Sequence, residues 1–337
     1  MAHFQILLYT SSRLNPTEDT RVQLLTDGPT SATAVSIPDP PSGFFVSWHF
    51  QPNKPLSILA IYLSAIDCMY QYAQKGWDDI FEGGARTWVT GYKVEVDLED
   101  IQKPGGPLPL LISHIVLGLY YTIVELWRSK RYCKVTASLS THSRQRGTLR
   151  IQDLGSPVLS VNTANDNLTN ISPGALSFTT PTYPSGSFSD VDDHRFTIDY
   201  AYDGGRIASE DIFIAALDGL ATSAQYIDDS KFQHLAATSA SGKCQIDVSE
   251  VASPHQVNYS YVIKALRILT LDVIRYLRKF EGMTFDLKWE GISIAKGYMK
   301  AVQRVDNDGS RGIDIARREA RALPRLLQSQ VSGVERR

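Results

Sequence analysis

IYLSAIDCMYQYAQ at residues 61–74 and IFIAALDGLATSAQ at residues 212–225 are one pattern written twice. Ile61/Ile212, Ala65/Ala216, Asp67/Asp218, Ala73/Ala224 and Gln74/Gln225 are identical, and most other positions exchange like for like. Apolar residues recur at helical spacing in both, so each reads as an amphipathic helix. The resemblance continues outward in the same order. FFVSWHF (44–50) matches FTIDYAY (196–202), KVEVDLEDI (93–101) matches KCQIDVSEV (243–251), and LYYTIVELWR (119–128) matches LTLDVIRYLR (269–278). Any one apolar match arises by chance, but four in one order at offsets of 150–152 residues point to a tandem duplication. The repeated unit is about 100–110 residues, an ordinary domain size.

In the first unit, residues 44–50 alternate aromatic and polar side chains as a half-buried strand does. A helix follows over 55–75, with Pro55 suited to its first turn and Gly76 just past its end. Residues 88–100 read as a strand, KPGGP (103–107) as a break, and 108–130 as a second helix. A hairpin over 132–140 and 148–152 turns through HSRQRG. The second unit repeats this order: strand 196–202, helix 209–226 with Ser209 as N-cap, strand 243–251, helix 258–280, and a hairpin 283–289/292–296 turning at Glu290-Gly291. The expected fold class is α+β, a tandem duplication of a β-α-β-α-β-β unit. Each half packs two helices on an antiparallel or mixed sheet, and the halves form a pseudo-twofold dimer. The expected organisation is N-terminal edge strands (1–43), first repeat (44–152), a Ser/Thr/Asn/Pro-rich linker (153–193), second repeat (194–300) and an Arg-rich amphipathic tail (301–337).

Residues 108–127 (LPLLISHIVLGLYYTIVELW) are apolar and long enough for a membrane span. Their repeat partner, 258–277, carries Lys264, Arg267, Asp272 and Arg275, charges that are expensive in a bilayer. A duplicated pair shares one environment, so both are expected to be buried helices of a protein without a membrane span. The 337 residues are 43% hydrophobic and 21% charged with net charge −2, which excludes a disordered or strongly basic chain. Cys68, Cys133 and Cys244 are few, odd in number and far apart, as in a reducing compartment. With an apolar start too short for a signal peptide, the expected location is cytoplasmic. The Asn-x-Ser/Thr matches at Asn167, Asn170 and Asn258 are then silent.

The chain has no GxGxxG after a strand, no GxxxxGK[ST], no HExxH, no GxSxG and no EF-hand loop. Its seven histidines are scattered without metal-ligand spacing, so neither a metal nor a cofactor is expected. His49, between Trp48 and Phe50, is the candidate general base. Trp48 and Phe50 in one half and Tyr200 and Tyr202 in the other are expected to line a cleft between the halves. Arg128, Lys130, Arg131, Lys134, Arg144, Arg146 and Arg150 form a basic stretch without an acid, a candidate anion or nucleic-acid patch. The repeated charges suggest structural ion pairs, Asp67 with Arg128 and Asp218 with Arg278. The leading functional expectation is a cofactor-free small-molecule enzyme or binding protein. Its rivals are a self-assembling shell or scaffold protein, here a homo-oligomer, and a nucleic-acid-associated protein using the basic hairpin and arginine tail. The near-neutral charge ranks the last below the others.

Overall fold

The structure, a computed structural model, describes residues 3–9, 20–27, 40–101, 109–154, 185–227 and 231–302. Most of the expected linker and nearly all of the arginine tail lie outside these residues. In chain order the strands are β1 (His3–Tyr9), β2 (Thr20–Asp27), β3 (Phe44–Pro55), β4 (Ile80–Phe81), β5 (Gly84–Trp88), β6 (Val94–Asp100), β7 (Leu110–Leu111), β8 (Cys133–Thr141), β9 (Arg144–Asp153), β10 (Ser185–Ser189), β11 (Phe196–Arg206), β12 (His234–Thr238), β13 (Cys244–Glu250), β14 (Glu281–Trp289) and β15 (Ile292–Ala301). The helices are α1 (Ile58–Ala73), α2 (Ile112–Ser129), α3 (Ser209–Ala224) and α4 (Tyr259–Arg267). Helix α4 runs on through a π-helical stretch, Ile268–Ile274, and a last turn, Arg275–Leu277.

The fold is mixed α+β with antiparallel sheets. One sheet runs β1-β2-β3-β8-β9-β6-β5, the second β10-β11-β14-β15-β13-β12, and β4 pairs with β7 alone. Period-two alternation aims Phe44, Val46 and Trp48 of β3 and Val135, Ala137 and Leu139 of β8 at the helices, while the residues between them stay part-exposed. Helix α1 packs on β5 and β6, α2 on β3, β8 and β9, and α3 on β12 and β13. Helix α4 meets the second sheet through Tyr261, which stacks on Phe196 (5.6 Å between centroids) and meets Trp289 edge-on (5.2 Å). The helices also pack on one another, so a single hydrophobic core joins both sheets. Burying each large apolar side chain contributes about 1.5–3 kcal/mol, and this shared layer is where that stabilisation concentrates.

The Glu290-Gly291 turn lies where the sequence places it, whereas the expected six-residue turn HSRQRG is only His142-Ser143, with Arg144–Gly147 already in β9. His142 (φ 50°) and Ser143 (φ 63°) join β8 to β9, and Glu290 (φ 50°) and Gly291 (φ 80°) join β14 to β15. Two successive positive φ angles are the type I′ geometry that matches strand twist. Several expectations change, and Pro55, expected in the first turn of α1, instead ends β3, with Ser57 as the cap. The strand expected over 88–100 is a hairpin, β5 and β6, turning where Gly91 has φ 87°. Strand β12, which pairs with β13, has no counterpart in the reading of the sequence. Both missed strands are five-residue edge strands with one partner each, too short for alternation to declare them. Within the expected linker, Ser185–Ser189 forms β10 on the edge of β11, pairing Ser185 with Ala201. Ser209 begins α3 rather than capping it; Ala208 holds the cap position. No helix among the described residues is long and apolar enough to cross a membrane, and the apolar stretch 108–127 is largely the buried α2.

Candidate functional site

Asp218 stands in the middle of α3, 5% exposed, at a position surrounded by apolar residues. Its Oδ2 accepts the backbone N–H of Thr238 at 2.8 Å, tying the helix to the end of β12. Its Oδ1 has no partner among the described residues. One hydrogen bond does not repay the desolvation of a carboxylate, so burial pushes the Asp218 pKa up to about 7. Tyr120 of α2, 3% exposed, lies near enough that burial first, and then the Asp218 charge, holds its phenol firmly neutral. One turn beyond Asp218, the buried hydroxyls of Thr222 and Ser223 lack partners. Thus α2, α3 and β12 bring together one titrating carboxyl, the Tyr120 phenol and the Thr238 N–H in the helix layer.

A second cluster lies where α1 meets α4. Asp67 Oδ1 is 3.5 Å from Arg267 Nε, and Arg267 Nη1 is 3.5 Å from Asp272. The guanidinium also sits 5.0 Å from the centre of the Tyr70 ring. Burial raises the pKa of Asp67 and of Asp272, and Arg267 opposes the rise at both. This corrects both expected ion pairs. Arg128 is in the last turn of α2 and Arg278 follows the last turn after the π stretch with φ 50°, whereas both aspartates are mid-helix. Asp67 therefore finds Arg267 in the facing helix, and Asp218 finds a backbone N–H.

The four aromatics do not line one cleft. Trp48 is a core residue, 2% exposed, and donates its Nε1–H to Thr122 Oγ1 of α2 at 3.0 Å. Phe50 lies under the Arg131 guanidinium at 5.5 Å. Tyr200 and Tyr202, on the other sheet, meet edge-on at 5.9 Å, and Tyr202 is 2% exposed with its hydroxyl unpartnered. The alternation that made these residues conspicuous aims most of them into packing. His49 is half-buried on the opposite face of β3 from Trp48, across from Thr136, away from the titrating groups of the helix layer.

The seven basic residues do not form a free patch. Arg150 pairs with Asp97 (3.1 Å) and Glu99 (2.7 Å) across β6 and β9. Lys130 pairs with Glu210 at 3.3 Å, Arg131 covers Phe50, and Arg146 is buried. Arg128 and Arg144 are exposed and Lys134 is half-buried. The acids that neutralise this stretch come from other elements, which a reading of 128–150 alone does not reveal. Likewise Tyr120, Thr222 and Thr238 carry no sequence signal; the marker for them is Asp218, a charge set in an apolar helical stripe.

Among the described residues no group of three or more His, Cys, Asp or Glu is placed to hold a metal ion. Cys68, Cys133 and Cys244 are free and buried, and burial pushes the Cys68 and Cys244 thiols up to about 12. No family model matches the chain, and no curated protein matches it. Among solved structures, a crystal structure of a protein provisionally named a thioesterase, from Novosphingobium aromaticivorans DSM 12444, aligns over 81% of this chain and all of its own at 10% identity. Its TM-score of 0.12 carries no argument about fold or activity.

Proposed function

We propose that this protein binds a small molecule in the helix layer around Asp218, as a binding protein or a cofactor-free enzyme with Asp218 as its general acid or base. The observation that carries the reading is Asp218 Oδ1, a buried carboxyl oxygen without a partner among the described residues. A carboxyl titrating near neutrality is present in both protonation states at working pH, as proton transfer to a bound molecule requires. An ionic ligand is disfavoured beside a buried acid, so the ligand class is an uncharged polar molecule with a hydrogen-bond donor. Fragment screening by two-dimensional NMR on the full chain tests this. Small alcohols and amides are expected to shift resonances of α2, α3 and β12 in the wild type and to lose that effect in Asp218→Asn. Shifts confined to the outer strand faces, or unchanged by the substitution, count against it.

The chain is further read as two copies of one unit related by a pseudo-twofold axis. Leaving aside β1, β2 and β10, the orders β3-β8-β9-β6-β5 and β11-β14-β15-β13-β12 put sequence-matched strands at matching places, which supports the duplication. Three free buried cysteines fit a reducing compartment such as the cytoplasm. A second functional reading, self-assembly through sheet edges, is favoured by Trp88, 49% exposed on edge strand β5. A size-exclusion mass several times that of one chain, reduced in Trp88→Lys, supports it; a monomer removes it.

A further inference from the structure

A guanidinium is among the costliest groups to bury without a counter-charge, and this protein buries one. Arg146 is 2% exposed, and its Nε and Nη2 are buried without a hydrogen-bond partner. On the neighbouring strand β6, Asp97 and Glu99 pair with Arg150, and Asp100, across from Gly147, has an interaction of its own. Nε and Nη2 share one edge of the guanidinium, the edge that meets a carboxylate with two parallel hydrogen bonds.

The local chain explains how Arg146 arrives there. Strands β8 and β9 pair Leu139 with Gly147 and then Ser140 with Gln145, so Arg146 is the extra residue of a β-bulge. A bulge re-aims a side chain that regular alternation places elsewhere. Arg146 here bears on His114, in the first turn of α2. The His114 ring stacks on Phe44 (5.1 Å, 8° between planes), and its Nδ1 accepts the Leu111 N–H at 3.1 Å. A neutral imidazole that accepts at Nδ1 carries its proton on Nε2, which makes that nitrogen a donor. Burial, then the Arg146 charge, holds the His114 pKa down to about 4, so the ring stays neutral. The N–H groups of Ile112 and Ser113 are met by the carbonyls of Asp79 and Trp77, so the helix adds the positive end of its dipole rather than free donors. At this same end of the sheet Thr141, paired with Phe44 and Arg144, has a buried hydroxyl without a partner.

We propose that Arg146 anchors an internal anion site that takes a small monocarboxylate, its two oxygens held on Nε and Nη2. The fixed charge here is a single cation beside a neutral histidine, which balances one negative charge and leaves a dianion such as phosphate over-charged in a low-dielectric place. Phe44 and the Leu110 side chain, which lies against Gly147, offer an apolar wall to the rest of the acid. The site is separate from Asp218 and does not depend on the function proposed above.

Thermal unfolding of the full chain tests the proposal, with formate, acetate, propionate and benzoate compared to chloride and inorganic phosphate at matched ionic strength. The wild type is expected to melt higher, saturably, with at least one carboxylate. Arg146→Met is expected to melt no lower than the wild type without carboxylate, because an uncompensated charge is gone, and to show no carboxylate response. Arg146→Lys keeps the charge without the planar fork and is expected to bind about tenfold more weakly or worse. Should Arg146→Met fail to fold, the comparison passes to Arg146→Lys and to saturable line broadening of 13C-labelled acetate by the wild type. A wild type indifferent to all four carboxylates overturns the proposal. So does an equal response to chloride, a response to phosphate alone, or an Arg146 variant that responds like the wild type.

Discussion

Asp218 and His114 are both buried and both titrate away from their ordinary values, in opposite directions. The Asp218 pKa is raised to about 7, so its contribution to stability is complete below the ordinary carboxyl range and is lost as pH rises through 7. The His114 pKa is lowered to about 4, so its contribution is complete above the ordinary imidazole range and is lost as pH falls through 4. At about 1.4 kcal/mol per pKa unit each is worth on the order of 3–4 kcal/mol, and between pH 4 and 7 they oppose one another. The wild type is therefore expected to show a shallow stability profile across that window. Asp218→Asn, which still accepts from Thr238, should become more stable relative to the wild type as pH rises from 4 to 8. His114→Gln should show the reverse, gaining relative to the wild type as pH falls. Urea unfolding at half-unit pH steps measures both; curves parallel to the wild type for either variant would falsify the burial argument for that residue.

At the level of elements, packing distances decide which glycines are replaceable. Helix interiors ordinarily prefer alanine to glycine by about 1 kcal/mol. Gly118 in α2 is an exception, because an added Cβ would run into the Leu139 side chain of β8. Gly297 in β15 is more constrained, since the added carbon would meet the Phe285 ring and lie 2.5 Å from the Asp247 carbonyl oxygen. Gly118→Ala is expected to lower stability by about 1–3 kcal/mol, the usual range for overpacking. Gly297→Ala is expected to cost more, because backbone cannot step aside as a leucine can. Equilibrium unfolding of the two variants gives the order directly. The helices, the long strands and the Glu290-Gly291 turn were legible in the sequence because each announces itself within a few residues. Arg267 as the partner of Asp67 was not, since the pair lies on helices some two hundred residues apart in sequence (67 and 267). Nor was the burial of Arg146, because one bulge residue reverses the alternation by which a strand is read. Asp218 was legible as an anomaly, a charge in an apolar stripe, but its neighbours, the Tyr120 phenol and the Thr238 N–H, come from α2 and from a strand that alternation did not show.

At the scale of the molecule, the two sheets are joined by more than apolar contact. Glu210, at the start of α3, accepts from Tyr132 Oη at 2.7 Å and meets Lys130 at 3.3 Å, holding α3 to the entry of β8. Tyr62 of α1 stacks on Phe213 of α3 at 5.5 Å just inside that contact. With one core between them, neither sheet has a finished helix layer of its own. Chemical denaturation is expected to give one transition, with hydrogen exchange in β8 and β14 lost together. Two separated transitions, each confined to one sheet, count against a common core. The placing of the helices has a consequence for how such a chain changes over generations. Every residue of α3 from Asp211 to Ala224 is buried, so that helix offers drift no neutral side. Strands β3, β8 and β11 each turn one face outward, where a new side chain meets mostly water. Relatives set beside this sequence should differ on a two-residue beat along their strands and scarcely at all along α3, the inverse of the common pattern in which helices carry the variable surface.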